Sequence, residues 1–76
     1  MPTFTYIVDD EPQSTNEHTL SAHQILQNAG IDPSTHYLLE IEGQHQKSYQ
    51  GSPDTIIHIH QQMKFISVFN GPTPVS

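Results

Sequence analysis

Residues 21–31 have the sequence SAHQILQNAGI, and this stretch contains the clearest helix signal in the chain. The Ser21 hydroxyl can accept a hydrogen bond from the backbone N–H of Gln24, whose side chain can reach back to the backbone N–H of Ser21. This capping pattern predicts one short helix, about two to three turns long, which must be stabilised by packing against another element. An apolar stripe and a glycine suited to a left-handed cap follow: Ile25, Leu26, Ala29 and Gly30.

Strand patterns lie on both sides of this helix. Residues 3–8, 37–42 and 64–69 are rich in β-branched and aromatic side chains, and residues 3–8 also alternate polar with bulky residues. Residues 9–12 are typical of a turn, and residues 13–18 contain no apolar side chain. If residues 13–18 form a strand, it is an edge strand reached by a hairpin. Two shorter segments complete the pattern: a return strand at 46–49, and a strand or 3₁₀ turn at 56–59.

This order of elements predicts an α+β fold, in which one helix covers one face of a four- to five-stranded mixed sheet. The predicted domain spans residues 1–69. Residues 70–76 contain two prolines and a glycine, and they predict an extended, flexible tail.

Composition limits the functions that this domain can have. The 76 residues include no cysteine, which excludes disulfides, thiolate nucleophiles and cysteine-based metal sites. The chain has two lysines and eight acidic residues, so it cannot supply the positive charges that nucleic acids or anionic membranes require. The N-terminus lacks a signal-peptide pattern, and no apolar run approaches the ~20 residues needed to cross a bilayer. We therefore expect a soluble, cytoplasmic protein that binds neither nucleic acid nor membrane.

Candidate catalytic and metal-binding residues are present without the spacing that chemistry requires. No nucleophile elbow, phosphate loop or paired-carboxylate motif surrounds the serines and histidines, so we expect no enzyme activity and no cofactor. His58 and His60 could share one side of a strand, but zinc usually takes three or four protein ligands. Nothing in the sequence fixes His36 or His45 nearby, so no metal site is predicted. The run Asp9-Asp10-Glu11 lacks the spacing of a calcium loop.

Period-two alternation assigns strand residues to two faces of the sheet. The residues expected to pack under the helix are Phe4, Tyr6, Val8, Leu39, Ile41, Phe65 and Phe69. Four apolar residues are then expected together on the opposite, exposed face: Ile7, Leu38, Ile66 and Val68. A contiguous exposed apolar patch usually marks an interaction site, so these four form a candidate partner-binding patch. The alternative is a register in which the two faces are exchanged and these residues are core.

The chain also resembles a known family. The segments that carry the resemblance are residues 4–8, 21–26, 29–31, 37–41, 54–57 and 64–68. In their order and spacing they resemble the bacterial multiubiquitin-type domain, a ubiquitin-like protein with the β-grasp fold. The resemblance implies that the first and last strands lie beside each other, with a strand that follows the helix next to them.

The resemblance also implies a function, that of a protein modifier. The C-terminal residue of such a modifier is adenylated by an activating enzyme, passed to the cysteine of a conjugating enzyme and linked to a target, and a peptidase processes or removes it. In this chain the implied conjugation and processing tail includes Asn70, Gly71, Pro72 and Ser76. It departs from the family pattern because it has no terminal Gly-Gly pair.

This departure leaves several uses of the tail open. One is cleavage after Gly71 by a peptidase, although a Gly–Pro bond lacks an N–H and many peptidases reject it. Otherwise the tail is used as it stands, or the chain is not conjugated. The main alternative function is a non-covalent, self-assembling or partner-binding module. A sulfur carrier shares the fold but requires a terminal Gly-Gly, so it fits this sequence least well.

Overall fold

The computed structural model describes residues 3–70, which form one helix and seven strands. Five strands make a mixed sheet in the order β2-β1-β7-β4-β5, and β3 and β6 make a separate two-stranded sheet. The helix packs on one face of the larger sheet, so the predicted α+β class is confirmed. The elements are β1 (Phe4–Val8), β2 (Glu11–Thr15), β3 (Thr19–Ser21), α1 (Ala22–Asn28), β4 (His36–Glu42), β5 (His45–Ser48), β6 (Ile56–His58) and β7 (Met63–Phe69).

The centre of the sheet is formed by the first and last strands. β1 and β7 run parallel, with Val8 opposite Phe65, and β4 pairs antiparallel with the other side of β7. Hairpins extend the sheet outward at both ends, since β2 pairs with β1 and β5 pairs with β4. The crossover between β1 and β7 contains α1, which places the helix over one face.

The β1–β2 hairpin turns through two aspartates. Asp9 and Asp10 have φ values of 52° and 68°, and positive φ at both central positions is the signature of a type I′ turn. The Asp9 carboxylate then contacts β7. It accepts from the backbone N–H of Ser67 at 2.8 Å and from the Ser67 hydroxyl at 2.5 Å. This side chain therefore satisfies a β7 donor at the point where β1 has turned away.

The caps of α1 explain why a seven-residue helix forms at this point. Ser21 is the N-cap, and its hydroxyl and the Gln24 side chain form the two hydrogen bonds of a capping box, as predicted. At the other end, Gly30 has φ 77° and donates to the Gln27 carbonyl. Ile31 donates to the Leu26 carbonyl at 2.9 Å, which completes a Schellman motif. Both ends are therefore closed by local sequence.

The core lies between α1 and the larger sheet. Ile25 and Leu26 of the helix meet Tyr6, Leu38 and Phe65 of the sheet, and these five side chains are 0–2% exposed. The small β3–β6 sheet and the segments beside it close the rest of the core. Their buried side chains are Leu20, Tyr49, Ile57 and Ile59.

The prediction of which β4 side chains face the helix is wrong, because the two faces of the strand are exchanged. Leu38 was expected on the exposed face but is 0% exposed, in the core. Leu39 and Ile41 were expected in the core, yet they alternate with Leu38 and lie on the opposite face, partly exposed. The sequence YLLEI has apolar residues on both faces, so alternation alone could not choose between them. Phe69 was also expected in the core, but it is 57% exposed and packs edge-on against His36.

Most predicted strands differ from the observed ones by a single residue at one or both ends, and three elements differ in other ways. β2 begins at Glu11 and includes Pro12, which is tolerated because β2 is at the edge of the sheet. β3 was not predicted, since its three residues are ordered by pairing with the distant β6. Residues 56–59, left open as a strand or a 3₁₀ turn, contain β6 at Ile56–His58.

Candidate functional site

The face of the larger sheet opposite α1 is the candidate site, and we call it the open face. Directly opposite residues in paired strands point to the same side of a sheet. Ile7 lies opposite Lys64, and Lys64 in turn lies opposite Ile41, which makes one row across three strands. The next rows along β7 pair Ile66 with Leu39, and Val68 with Tyr37. The apolar residues of the open face are Ile7, Tyr37, Leu39, Ile41, Ile66 and Val68.

These six side chains form a band across β1, β7 and β4 that Lys64 interrupts in one row. Cross-strand partners have Cβ atoms about 4.5–5.5 Å apart, so Ile66 and Leu39, and Val68 and Tyr37, are close enough to pack against each other. All six are of intermediate exposure, and none belongs to the core cluster. An apolar band of this kind on solvent is a surface that a partner protein can cover.

Half of this band was predicted from the sequence. Ile7, Ile66 and Val68 lie on the open face, whereas the fourth predicted residue, Leu38, is buried beneath the helix. Three further members were missed because the β4 faces were exchanged: Tyr37, Leu39 and Ile41. A residue that follows β4 in the sequence, Tyr49, could have indicated which β4 side chains face the helix. Tyr49 is buried and donates from its hydroxyl to the Glu40 carboxylate at 3.0 Å, which allows Glu40 to lie on the same side as the helix.

Charge is distributed unevenly between the two faces of the sheet. The glutamates of its described strands are all on the helix side of the sheet. Glu11 lies opposite Val8, Glu40 lies opposite Phe65, and Glu42 lies opposite His45. Lys47 is opposite Glu40 and therefore on the helix side too, with its ammonium 5.4 Å from the centre of the Tyr49 ring. Within the described strands, the open face carries a single charged residue, Lys64, between Ile7 and Ile41.

The predicted tail begins at a well-anchored residue. Asn70 donates from its backbone N–H to the Thr35 carbonyl at 2.6 Å, and its side-chain oxygen accepts from Gln50 at 3.1 Å. These contacts fix the chain directly after the central strand β7. The other predicted tail residues, Gly71, Pro72 and Ser76, lie outside the described residues.

A small cavity lies beside Asn70. It has a volume of about 170 Å³, and apolar side chains including Leu26, Leu38 and Tyr49 line it together with His36. Burial and the adjacent Glu40 carboxylate raise the pKa of Tyr49 to about 12, so its hydroxyl stays protonated at neutral pH. The described lining includes no aspartate, glutamate or lysine that would select a charged ligand.

Within residues 3–70, no group of three or more histidine, cysteine, aspartate or glutamate side chains is arranged to hold a metal ion. The same residues provide no helix long and apolar enough to span a bilayer.

Comparison with known proteins gives no assignment. No family model, curated protein or solved structure matches this chain. The multiubiquitin-type resemblance therefore stays a prediction from the sequence.

Proposed function

We propose that this chain is a ubiquitin-like β-grasp protein that serves as a modifier in a bacterial ubiquitination-like pathway. The observation that carries the proposal is the arrangement of the sheet. β1 and β7 pair in parallel at its centre, a hairpin precedes the helix, and α1 covers one face. This is the architecture expected of a β-grasp protein, and it agrees with the resemblance that the sequence suggests.

The position of Asn70 supports a role for the tail. Asn70 directly follows the central strand and is held by Thr35 and Gln50, so the residues after it start from a fixed point on the body. A carboxylate presented on such a segment can enter the narrow site of an adenylating enzyme while the folded body stays outside. In the proposed pathway the activating enzyme transfers AMP from ATP to the tail carboxylate and pyrophosphate is released. A cysteine thiolate of the conjugating enzyme is then joined to the same carbonyl carbon as a thioester, and AMP leaves.

The proposed partners are therefore an activating enzyme, a conjugating enzyme and a processing or deconjugating peptidase, all in the cytoplasm. The chain is the substrate of these enzymes and is not itself a catalyst. The open face gives each of them an apolar surface on the body, in addition to the tail.

Intact-mass measurement tests the modifier function. The full chain is expressed with its native genomic neighbours, and the mass of every species that contains it is determined. We expect a thiol-sensitive adduct with a cysteine-containing enzyme and a thiol-resistant adduct with a target. A matched variant that lacks residues 71–76 keeps the described body and should form neither. If the chain remains free and full-length while its neighbours are active, it is not a modifier.

The second candidate function is a non-covalent interaction module, including self-assembly. The partly exposed apolar band favours it, because a surface of this kind can bind a partner without any contribution from the tail. Under this function, Ile66→Asp abolishes co-purification with the partner and deletion of residues 71–76 has no effect. Under the modifier function, the deletion abolishes adduct formation. The two variants therefore separate the candidates.

A further inference from the structure

We propose that the partner of the open face is a protein surface on which an acidic side chain lies among apolar residues, and that Lys64 binds this acid. The inference rests on the proposed use of the open face as a binding surface, and it specifies the chemistry of the partner. Three features support it: the distribution of charge over the two faces of the sheet, the neighbours of Lys64, and the poorer fit of other binding partners to the charge of the open face.

Charge is separated between the two sides of the sheet. The chain has a formal net charge of −6, with eight acidic residues and two lysines. The glutamates of its described strands are nevertheless all on the helix side of the sheet, opposite Val8, Phe65 and His45. The one charge of the open face within the described strands is therefore positive, although the net charge of the chain is negative. Electrostatic complementarity at the contact then favours a carboxylate against Lys64 and disfavours a cationic side chain there.

The two lysines differ in their surroundings. Lys47 lies opposite Glu40 in the strand register, and its ammonium lies over the Tyr49 ring, so the partner of its charge within this chain is an aromatic ring. Lys64 is exposed, and its directly opposite neighbours are Ile7 on one strand and Ile41 on the other. Neither isoleucine can neutralise an ammonium. When a partner covers the apolar band, Lys64 loses water, and a carboxylate from the partner is needed to offset that loss.

Other occupants of the open face fit its charge less well. In a two-fold dimer formed through the open faces, the same surface lies on both sides of the interface. Each copy would then bring one Lys64, and the described strands of this face supply no carboxylate to bind it. The missing carboxylate disfavours a dimer of this form. A nucleic acid or an anionic membrane would gain attraction from one lysine, against the net negative charge of the whole chain. A protein that supplies one carboxylate within an apolar contact fits the face best.

Peptide selection tests the inference even though the natural partner is unidentified. Randomised peptides displayed on phage are selected against the full chain at about 0.15 M salt. We expect the enriched sequences to combine aspartate or glutamate with several apolar residues. The best peptide should bind about 10- to 100-fold more weakly to Lys64→Gln, as for loss of a paired interface charge. The matched variant Lys47→Gln has the same change in charge and should bind as the wild type does.

A charge exchange then tests direct contact. The acidic residue of the peptide is changed to lysine, which should prevent binding to the wild-type chain and restore binding to Lys64→Glu. Enriched peptides without acidic residues, equal losses for the two lysine variants, or no rescue by the exchange would overturn the inference. Thermal unfolding of each variant shows whether the fold is retained.

Ile66→Asp separates failure of this inference from failure of the binding face. If the selected peptides bind Ile66→Asp as tightly as the wild type, or if no Ile66-dependent peptide is selected, the open face is not the binding surface and both proposals fail there. If binding depends on Ile66 but not on Lys64, the face is used and the acidic partner is wrong.

Discussion

Tyr6 and Tyr49 are both buried in the core, but they differ in the hydrogen bonding of their hydroxyl groups. Tyr6 is 0% exposed, and its hydroxyl has no hydrogen-bond partner within bonding distance among the described residues. Burial raises the pKa of this hydroxyl, and the Asn28 side chain, which is near it but outside hydrogen-bonding distance, offsets part of that effect. Tyr49 is also buried, but its hydroxyl donates to Glu40. Within residues 3–70, the same chemical group is therefore unpaired at one position and paired at the other.

This difference predicts the effect of removing each hydroxyl. An unpaired buried hydroxyl contributes nothing to offset its desolvation, so Tyr6→Phe should leave the free energy of unfolding unchanged or raise it by up to about 1 kcal/mol. Tyr49→Phe, the matched variant, loses a hydrogen bond to a carboxylate and should lower the free energy of unfolding by about 1 kcal/mol. Urea unfolding measures both. A clear loss of stability in Tyr6→Phe would show that the Tyr6 hydroxyl has a partner.

Tyr49 also predicts how stability changes at alkaline pH. Its pKa is raised from 10.0 to about 12 by burial and by Glu40. The unfolded chain therefore releases this proton first as the pH rises, so the free energy of unfolding falls between pH about 10 and about 12. Urea unfolding from about pH 9 to about pH 12 should show a shallower decline for Tyr49→Phe than for the wild type. Equal slopes for the two proteins would contradict this assignment.

At the scale of single elements, α1 is too short to be stable in isolation, and its caps matter accordingly. Ser21 and Gln24 satisfy backbone donors at its start, and Gly30 closes its end. Ser21→Ala should lower the free energy of unfolding by about 1 kcal/mol, the usual cost of losing an N-cap. Ser14→Ala on the exposed edge strand β2 is the matched control and should have almost no effect. Equal losses in the two variants would mean that the cap contributes little.

The β1–β2 turn provides a second test at this scale. Asp9 and Asp10 both have positive φ, which asparagine tolerates as well as aspartate does. Of the two, the Asp9 carboxylate accepts hydrogen bonds from Ser67. Asp9→Asn should therefore lower the free energy of unfolding by about 1 kcal/mol, and Asp10→Asn should have a much smaller effect. Chemical denaturation of the pair measures the difference. Comparable losses would show that the contact with β7 is not the source.

The elements also show what the sequence can and cannot specify. The helix was predicted with its capping box because its signals lie within adjacent residues. The faces of β1 and of β7 up to Val68 were predicted because their alternation is consistent with one buried side. In β4 both faces are apolar, so the choice depends on which side α1 and Tyr49 cover, and that is a tertiary property. β3 could not be predicted because its order comes from pairing with β6.

For the whole molecule, charge is the property that responds most directly to pH. The formal net charge is −6 with neutral histidines, and the six histidines would bring it to about zero when protonated. A protein near zero net charge repels its own copies less, so solubility should fall as the pH is lowered from about 7.5 to about 5. Light scattering across this range measures the effect. Scattering that stays flat would contradict the prediction.

The parallel pairing of β1 with β7 sets the order in which this protein can fold. Contacts such as Val8 with Phe65 join positions almost as far apart in sequence as the described residues allow. Closing so long a loop costs entropy before any packing is gained, which slows folding relative to proteins with mainly local contacts. On the ribosome, the β1–β2 hairpin and α1 emerge first, but the centre of the sheet stays empty until β7 has left the exit tunnel. The body therefore becomes native only after residues up to Phe69 have left the exit tunnel.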